Sequence, residues 1–196
     1  MPTEPSRPDI RVTESPREVS RRTLLSGRRV DFVEVTLNSD SGGEIVREVV
    51  KHPGAVTIVP VLPNGRLVMV RNHRFSVGQD LLEFPAGMLD AGEDPAACAA
   101  RELREETGYD ADEIVPLGAF FTTAGITDEI MHVFGATGLR HVGAEPEVDE
   151  WVTPEEATVE QLWGAAGESG FADGKSVAAL LLAAKAGLIP LGPKRA

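Results

Sequence analysis

The stretch PAACAARELREET, Pro95 to Thr107, limits what this chain can fold into more than any other. Its letters are strong helix formers, Asp94 and Pro95 are entry signals and Gly108 is a natural stop, so a helix is predicted over 95–107. At about 100° per residue, Glu102, Glu105 and Glu106 share one arc, while Ala96, Ala100, Leu103 and Thr107 occupy a second arc suited to a core. Like charges so spaced destabilise a helix by a few tenths of a kcal/mol per pair unless something positive sits among them. Arg101 and Arg104 lie off that arc. A hard divalent cation would neutralise the cluster, and oxygen ligands with room for water and phosphate oxygens are what Mg²⁺ prefers. A solvated acidic helix face is the plain alternative.

Charge and cysteine usage narrow the partners. The chain carries 31 acidic against 19 basic residues, a formal charge of −12, which repels nucleic acid and anionic membrane surfaces. A small phosphate-bearing substrate is compatible only where local arginines or bound cations overcome that field. The lone cysteine, Cys98, excludes an intrachain disulfide and a multi-cysteine zinc site, and reads as an inert packing residue. The longest apolar run, Val177 to Ala184, is far short of the roughly 20 residues of a membrane span. The proline- and charge-rich start lacks the apolar stretch of a secretory signal, so a cytoplasmic location is expected.

Residues 1–18 read as a flexible tail, 19–52 as a small antiparallel β-sheet region serving dimerisation, and 53–196 as the main domain. In the second region, Val30 to Leu37 and Ile45 to Val50 are strand-like around the turn letters of Ser39 to Gly43. Beyond it, Ala55 to Leu62 and Arg66 to Val70 are strand candidates joined by a hairpin-like turn at Pro63 to Gly65. Strands follow at 114–121, at 130–137 and near Trp151, with helices at about 154–167 and 175–186. Trp151 and Trp163 read as core or interface aromatics.

The letters around the acidic helix reverse the plain reading. Gly87, Glu93, Arg101, Glu102, Leu103, Glu105, Glu106, Gly108 and Tyr109 fit the pattern G-x5-E-x7-R-E-U-x-E-E-x-G-U, where U is a bulky apolar residue. Its seven fixed letters would coincide by chance at roughly 10⁻⁸ per starting position, so the match is specific. This spacing resembles the Nudix box. More of the chain resembles the ADP-ribose pyrophosphatase branch: REVVKHPGAV at 47–56, RNHR at 71–74, EFPAG at 83–87 and TTAGITDE at 122–129.

The resemblance implies an α/β fold, a Nudix α/β/α sandwich with a mixed sheet, and Mg²⁺-dependent hydrolysis of ADP-ribose to AMP and ribose 5-phosphate, with Mn²⁺ as a substitute ion. It implies a homodimer with a small-molecule nucleotide-sugar substrate. Glu102 and Glu106 would be metal ligands, with Glu105 beside them and the carbonyl of Ala86 as a further ligand, and Arg101 would orient the carboxylates. Gly87 and Gly108 would turn the chain at the two ends of the loop and helix. Glu93 would pair with Arg101 or cap a helix N-terminus. Arg74, with Arg71 as a second candidate, would grip the diphosphate, Arg71 alternatively forming a surface salt bridge; His73 reads as a loop residue. Glu48 would recognise the adenine or ribose end, Asp90 the terminal ribose, and Glu129 metal or substrate, with Gly125 allowing close approach. A general base would come from the acidic loop 143–150, with Glu147 first among its carboxylates. ADP-ribose hydrolases commonly carry Ser-Pro-Gly where this chain has Thr123, Ala124 and Gly125, a loss of φ constraint that admits another nucleotide sugar such as GDP-mannose. A non-catalytic ADP-ribose-binding module is the third reading.

Overall fold

The computed structural model describes residues 16–39, 42–143, 151–168 and 171–192. It divides into two compact units, one ending at Lys51 and one beginning at His52. In the first unit β1 (Glu18–Ser26), β2 (Asp31–Ser39) and β3 (Gly43–Lys51) form an antiparallel sheet in that order. The strand-like letters of 30–37 and 45–50 correspond to β2 and β3, whereas β1 has no counterpart among the expected strands. Every residue of β1 is exposed, so EVSRRTLLS carries no alternation of apolar and polar letters to betray it. Residues 1–15 of the expected tail lie outside the described residues.

The second unit contains β4 (Ala55–Pro60), β5 (Leu67–Arg74), β6 (Gln79–Glu83), β7 (Ala86–Met88), α1 (Pro95–Thr107), β8 (Tyr109–Asp110), β9 (Glu113–Phe121), β10 (Ile130–Thr137), β11 (Arg140–His141), β12 (Val152–Ala157), α2 (Val159–Ala165) and α3 (Gly174–Lys185). One sheet runs β7-β4-β10-β9 with β4 and β10 parallel, a second runs β12-β5-β6, and β11 pairs with β8. The expected hairpin between β4 and β5 is reduced to a single bridge, Val61 to Leu67, after which the two strands enter different sheets.

Strand alternation sends side chains to two cores. Val56 and Ile58 of β4 and Val68 of β5 pack on Cys98, Ala99 and Leu103 of α1. Val59, Leu67 and Met69 instead meet Leu162 of α2 and Ala179, Leu180 and Ala183 of α3. Helices therefore cover both faces of mixed β-structure, the expected α/β/α sandwich. Ala96 and Ala100, assigned to the core from the helical wheel, are exposed; Cys98 and Ala99 take their place. The helix expected from about 154 begins later, because Val152–Ala157 pairs with β5 and Thr158 caps α2 in a capping box with Gln161. Trp151, expected in a core or interface, is 62% exposed and meets Phe75 edge-on at 5.2 Å. No helix of the described residues is long and apolar enough to cross a membrane.

Candidate active site

Helix α1 starts where Asp94 accepts hydrogen bonds from the N–H groups of Ala96 and Ala97, with Pro95 in the first turn, and stops at Gly108 in the left-handed region, φ 75°. The helix presents its carboxylates to β7. Glu102 and Glu106 are only 6% and 3% exposed, which a merely solvated acidic face would not show. Glu106 accepts a hydrogen bond from the Ala86 N–H at 2.9 Å. Arg101 binds the remaining set: Nη1 reaches Glu102 at 2.7 Å and Glu105 at 3.1 Å, and Nε and Nη2 hold Glu93 through two 3.0 Å bonds. Paired so, and accepting the Asp90 N–H, Glu93 has its pKa lowered to about 2. Cys98 sits beside this cluster, and burial pushes its thiol up to about 12.

Gly87 serves a purpose other than the expected turn. It lies in β7 without a left-handed φ, and a Cβ built there would fall 1.8 Å from Oε1 of Glu102. The glycine is a space, and the Glu102 carboxylate fills it. Gly108 does have the left-handed geometry expected of it.

Whether this arrangement suits a divalent cation can be tested on its donors. Among the described residues no three carboxylate, imidazole or thiol groups form a ready cage, because Arg101 lies between Glu102 and Glu105 while Glu106 faces Ala86. Mg²⁺ needs no such cage, since it is held by one or two carboxylates and keeps waters and phosphate oxygens for its other positions. Two buried carboxylates packed against the Ala86–Gly87 backbone fit that requirement.

A NUDIX domain match spans residues 51–172. The chain belongs to the Nudix family. It is 39% identical over 132 residues to the ADP-ribose pyrophosphatase of Bacillus subtilis, covering 67% of this chain and 71% of that one. It is 42% identical over 146 residues to the ADP-ribose pyrophosphatase of Mycobacterium tuberculosis, covering 74% and 68%. A crystal structure of an ADP compounds hydrolase superposes with a TM-score of 0.78 at 22% identity, covering 89% of this chain and 95% of that one, and so shares its fold.

The Nudix helix is thus the centre of the site, and the other candidates fall into place unevenly around it. The strand expected to end at Val70 continues through RNHR to Arg74, and alternation puts Arg71 and His73 on one face and Arg74 on the other. Arg71 pairs with Glu155 of β12 at 2.6 and 2.9 Å, the salt bridge weighed as its alternative, and His73 contacts Asp80 at 2.6 Å. Arg74 leaves by the opposite face and meets Glu83 through Nε at 2.8 Å and Nη2 at 2.5 Å. Its pKa is raised first by the Glu83 hydrogen bonds, with smaller electrostatic contributions from Asp173 and from Glu106 of the Nudix helix. Glu129 is held by the Thr122 hydroxyl at 2.6 Å and faces Nε2 of His52 at 3.8 Å. Gly125 stands in a turn with open space around it, and Asp90 is exposed two residues beyond β7, its N–H donating to Glu93 at 2.9 Å. Glu48 is exposed on β3 of the first unit, opposite Glu34. Glu147 lies outside the described residues.

Two charged groups were missed. Glu83 is 1% exposed and accepts from both Arg74 and Lys175. The signal was present: a glutamate between Leu82 and Phe84, at the end of an apolar run, requires a buried cation. Lys175 stands in the first turn of α3, where the helix dipole disfavours a cation, so it too requires carboxylates.

Proposed function

We propose that this Nudix chain is an Mg²⁺-dependent pyrophosphatase that hydrolyses ADP-ribose to AMP and ribose 5-phosphate. The observation that carries the reading is the pair of buried carboxylates, Glu102 and Glu106, set against the Ala86–Gly87 backbone. The similarity to two proteins named ADP-ribose pyrophosphatase supports the choice of substrate.

Glu102, Glu106 and the Ala86 carbonyl would hold the ion, with Glu105 beside them. Bound there, Mg²⁺ would neutralise the diphosphate and make water a competent nucleophile at neutral pH. Arg101 orients the carboxylates by ion pairing, since its one guanidinium bonds Glu93, Glu102 and Glu105. Arg74 binds the diphosphate through the edge not engaged by Glu83. Glu147 removes the proton from the attacking water. Asp90 meets the terminal ribose, Glu129 contacts the metal or the substrate, Gly125 admits the substrate close to the backbone, and Glu48 reads the adenine or ribose end, donated across a homodimer. The site of action is the cytoplasm, and Mn²⁺ replaces Mg²⁺.

The Thr123-Ala124-Gly125 loop, lacking the proline common in ADP-ribose hydrolases, favours a second reading in which the sugar nucleotide is another, such as GDP-mannose. Specific activities on a panel of nucleoside diphosphate sugars with Mg²⁺ test both. ADP-ribose is expected to rank first, and negligible turnover of it beside GDP-mannose overturns the assignment. Glu106→Gln is expected to lower kcat by about 10²- to 10³-fold with the circular dichroism spectrum retained.

A further inference from the structure

Around Arg74 the charges are arranged in a chain that ends on a helix with no part in the Nudix motif. Glu83, almost wholly buried, lies opposite Val70 on the face of the β5–β6 pair that also carries Arg74, and it takes the Nε/Nη2 edge of that guanidinium. Its Oε2 also accepts from Nζ of Lys175 at 2.5 Å, and Nζ in turn donates to Asp173 at 2.9 Å. Asp173 is the cap of α3, accepting from the Ser176 N–H at 3.0 Å and hydroxyl at 2.6 Å, while Ser176 Oγ accepts the Phe84 N–H at 2.9 Å. The group is closed: two cations and two carboxylates, with the backbone beside Glu83 tied to the same helix end.

Two features set this apart from a simple staple. Lys175 stands at a helix N-terminus, where the aligned peptide dipoles oppose a cation, and it is 13% exposed, so a neutral residue would serve packing better. Arg74 keeps 38% of its side chain exposed, and its Nη1 makes no hydrogen bond among the described residues. Lys175, itself paired with Asp173, holds the Glu83 carboxylate as well, so the Arg74 fork has a fixed partner and is kept in one orientation.

We propose that Lys175 is a positioning residue for the diphosphate: by sharing the buried Glu83 carboxylate it fixes the orientation in which Arg74 offers its Nη1 edge to the substrate. The inference rests on the ADP-ribose reading above and deepens it. With Glu83 no longer held by Lys175, Arg74 loses its fixed orientation and the charge-assisted contact it makes with the substrate weakens, an effect of about five- to tenfold in affinity.

The test is a set of steady-state measurements on the full chain with ADP-ribose and Mg²⁺, comparing wild type, Lys175→Met, Lys175→Arg, Arg74→Ala and the Arg74→Ala/Lys175→Met double variant. Lys175→Met is expected to raise KM about five- to tenfold with kcat within about twofold, and Lys175→Arg to restore KM. In the Arg74→Ala background the Lys175→Met change should no longer move KM, because the path through Arg74 is gone. A purely structural lysine would lower the melting temperature and the active fraction while leaving KM alone, or would raise KM equally in both backgrounds. Either outcome overturns the proposal while wild-type turnover keeps the functional reading standing. A wild-type chain inert toward ADP-ribose overturns both.

Discussion

Replacing Gly87 with alanine tests the geometry at its tightest point. The new Cβ would lie 1.8 Å from Oε1, 1.9 Å from Cδ and 2.5 Å from Oε2 of Glu102, so the carboxylate must retreat by about 1.6 Å to reach ordinary contact. The backbone raises no objection, because Gly87 has no left-handed φ. Displacement breaks the 2.7 Å bond from Arg101 and moves a proposed metal ligand, and misplacement of a reacting group by about 1 Å costs on the order of 10²-fold in rate. Gly87→Ala should therefore lower kcat/KM by about 10²-fold or more, equivalent to roughly 2.7 kcal/mol of transition-state stabilisation. Overpacking of a filled site adds a loss of about 1–3 kcal/mol in stability. Steady-state hydrolysis of ADP-ribose with Mg²⁺, run well below the melting temperature, separates the two effects. Gly164→Ala, in open space on α2, controls for the exchange of glycine for alanine and should leave activity unchanged. Wild-type kcat/KM in Gly87→Ala would refute the claim that the missing side chain makes room for Glu102.

Other consequences can be checked separately. Arg71→Ala removes a pair that is more than a third exposed on both sides, so KM should stay within about twofold and stability should fall by no more than about 1 kcal/mol in thermal melts. Cys98, wholly buried with its thiol pushed up to about 12, should resist maleimide or disulfide reagents at neutral pH in the folded chain and react once denaturant is added. Burial pushes the Asp173 carboxyl upward, yet Lys175 and Ser176 outweigh it and hold its pKa below the ordinary value. A depressed folded-state pKa stabilises above the unfolded value and ceases to do so as pH falls through the folded one. Asp173→Asn should thus melt below wild type at neutral pH, by about 1 kcal/mol from the weakened cap and ion pair, and the gap should close as pH drops below about 4.

The acidic helix was legible because its information is local. Asp94, Pro95 and Gly108 bound it through caps that depend on neighbours within four residues, and the spacing of Glu102, Glu105 and Glu106 sets their common arc whatever the rest of the chain does. The pattern from Gly87 to Tyr109 carried the family for the same reason. Residues whose role depends on a distant partner were not legible. The strand expected to end at Val70 runs on through RNHR, because a strand's end is set by its hydrogen-bonded neighbours, here β6 and β12, and not by its own letters. Gly87 was recognised for a correct letter and a mistaken reason, since only packing brings Glu102 into its missing side chain.

By itself, then, the order of residues determined a helix with three carboxylates on one arc, the family, and a chemistry suited to a hard cation, all of which arise from contacts within a turn or two of chain. Tertiary structure alone decided which of those carboxylates are buried, which carboxylate each arginine pairs with, and that Lys175, 92 residues beyond Glu83, shares that buried carboxylate with Arg74. Burial and charge pairing across such separations depend on how sheets and helices meet, and no local pattern records that.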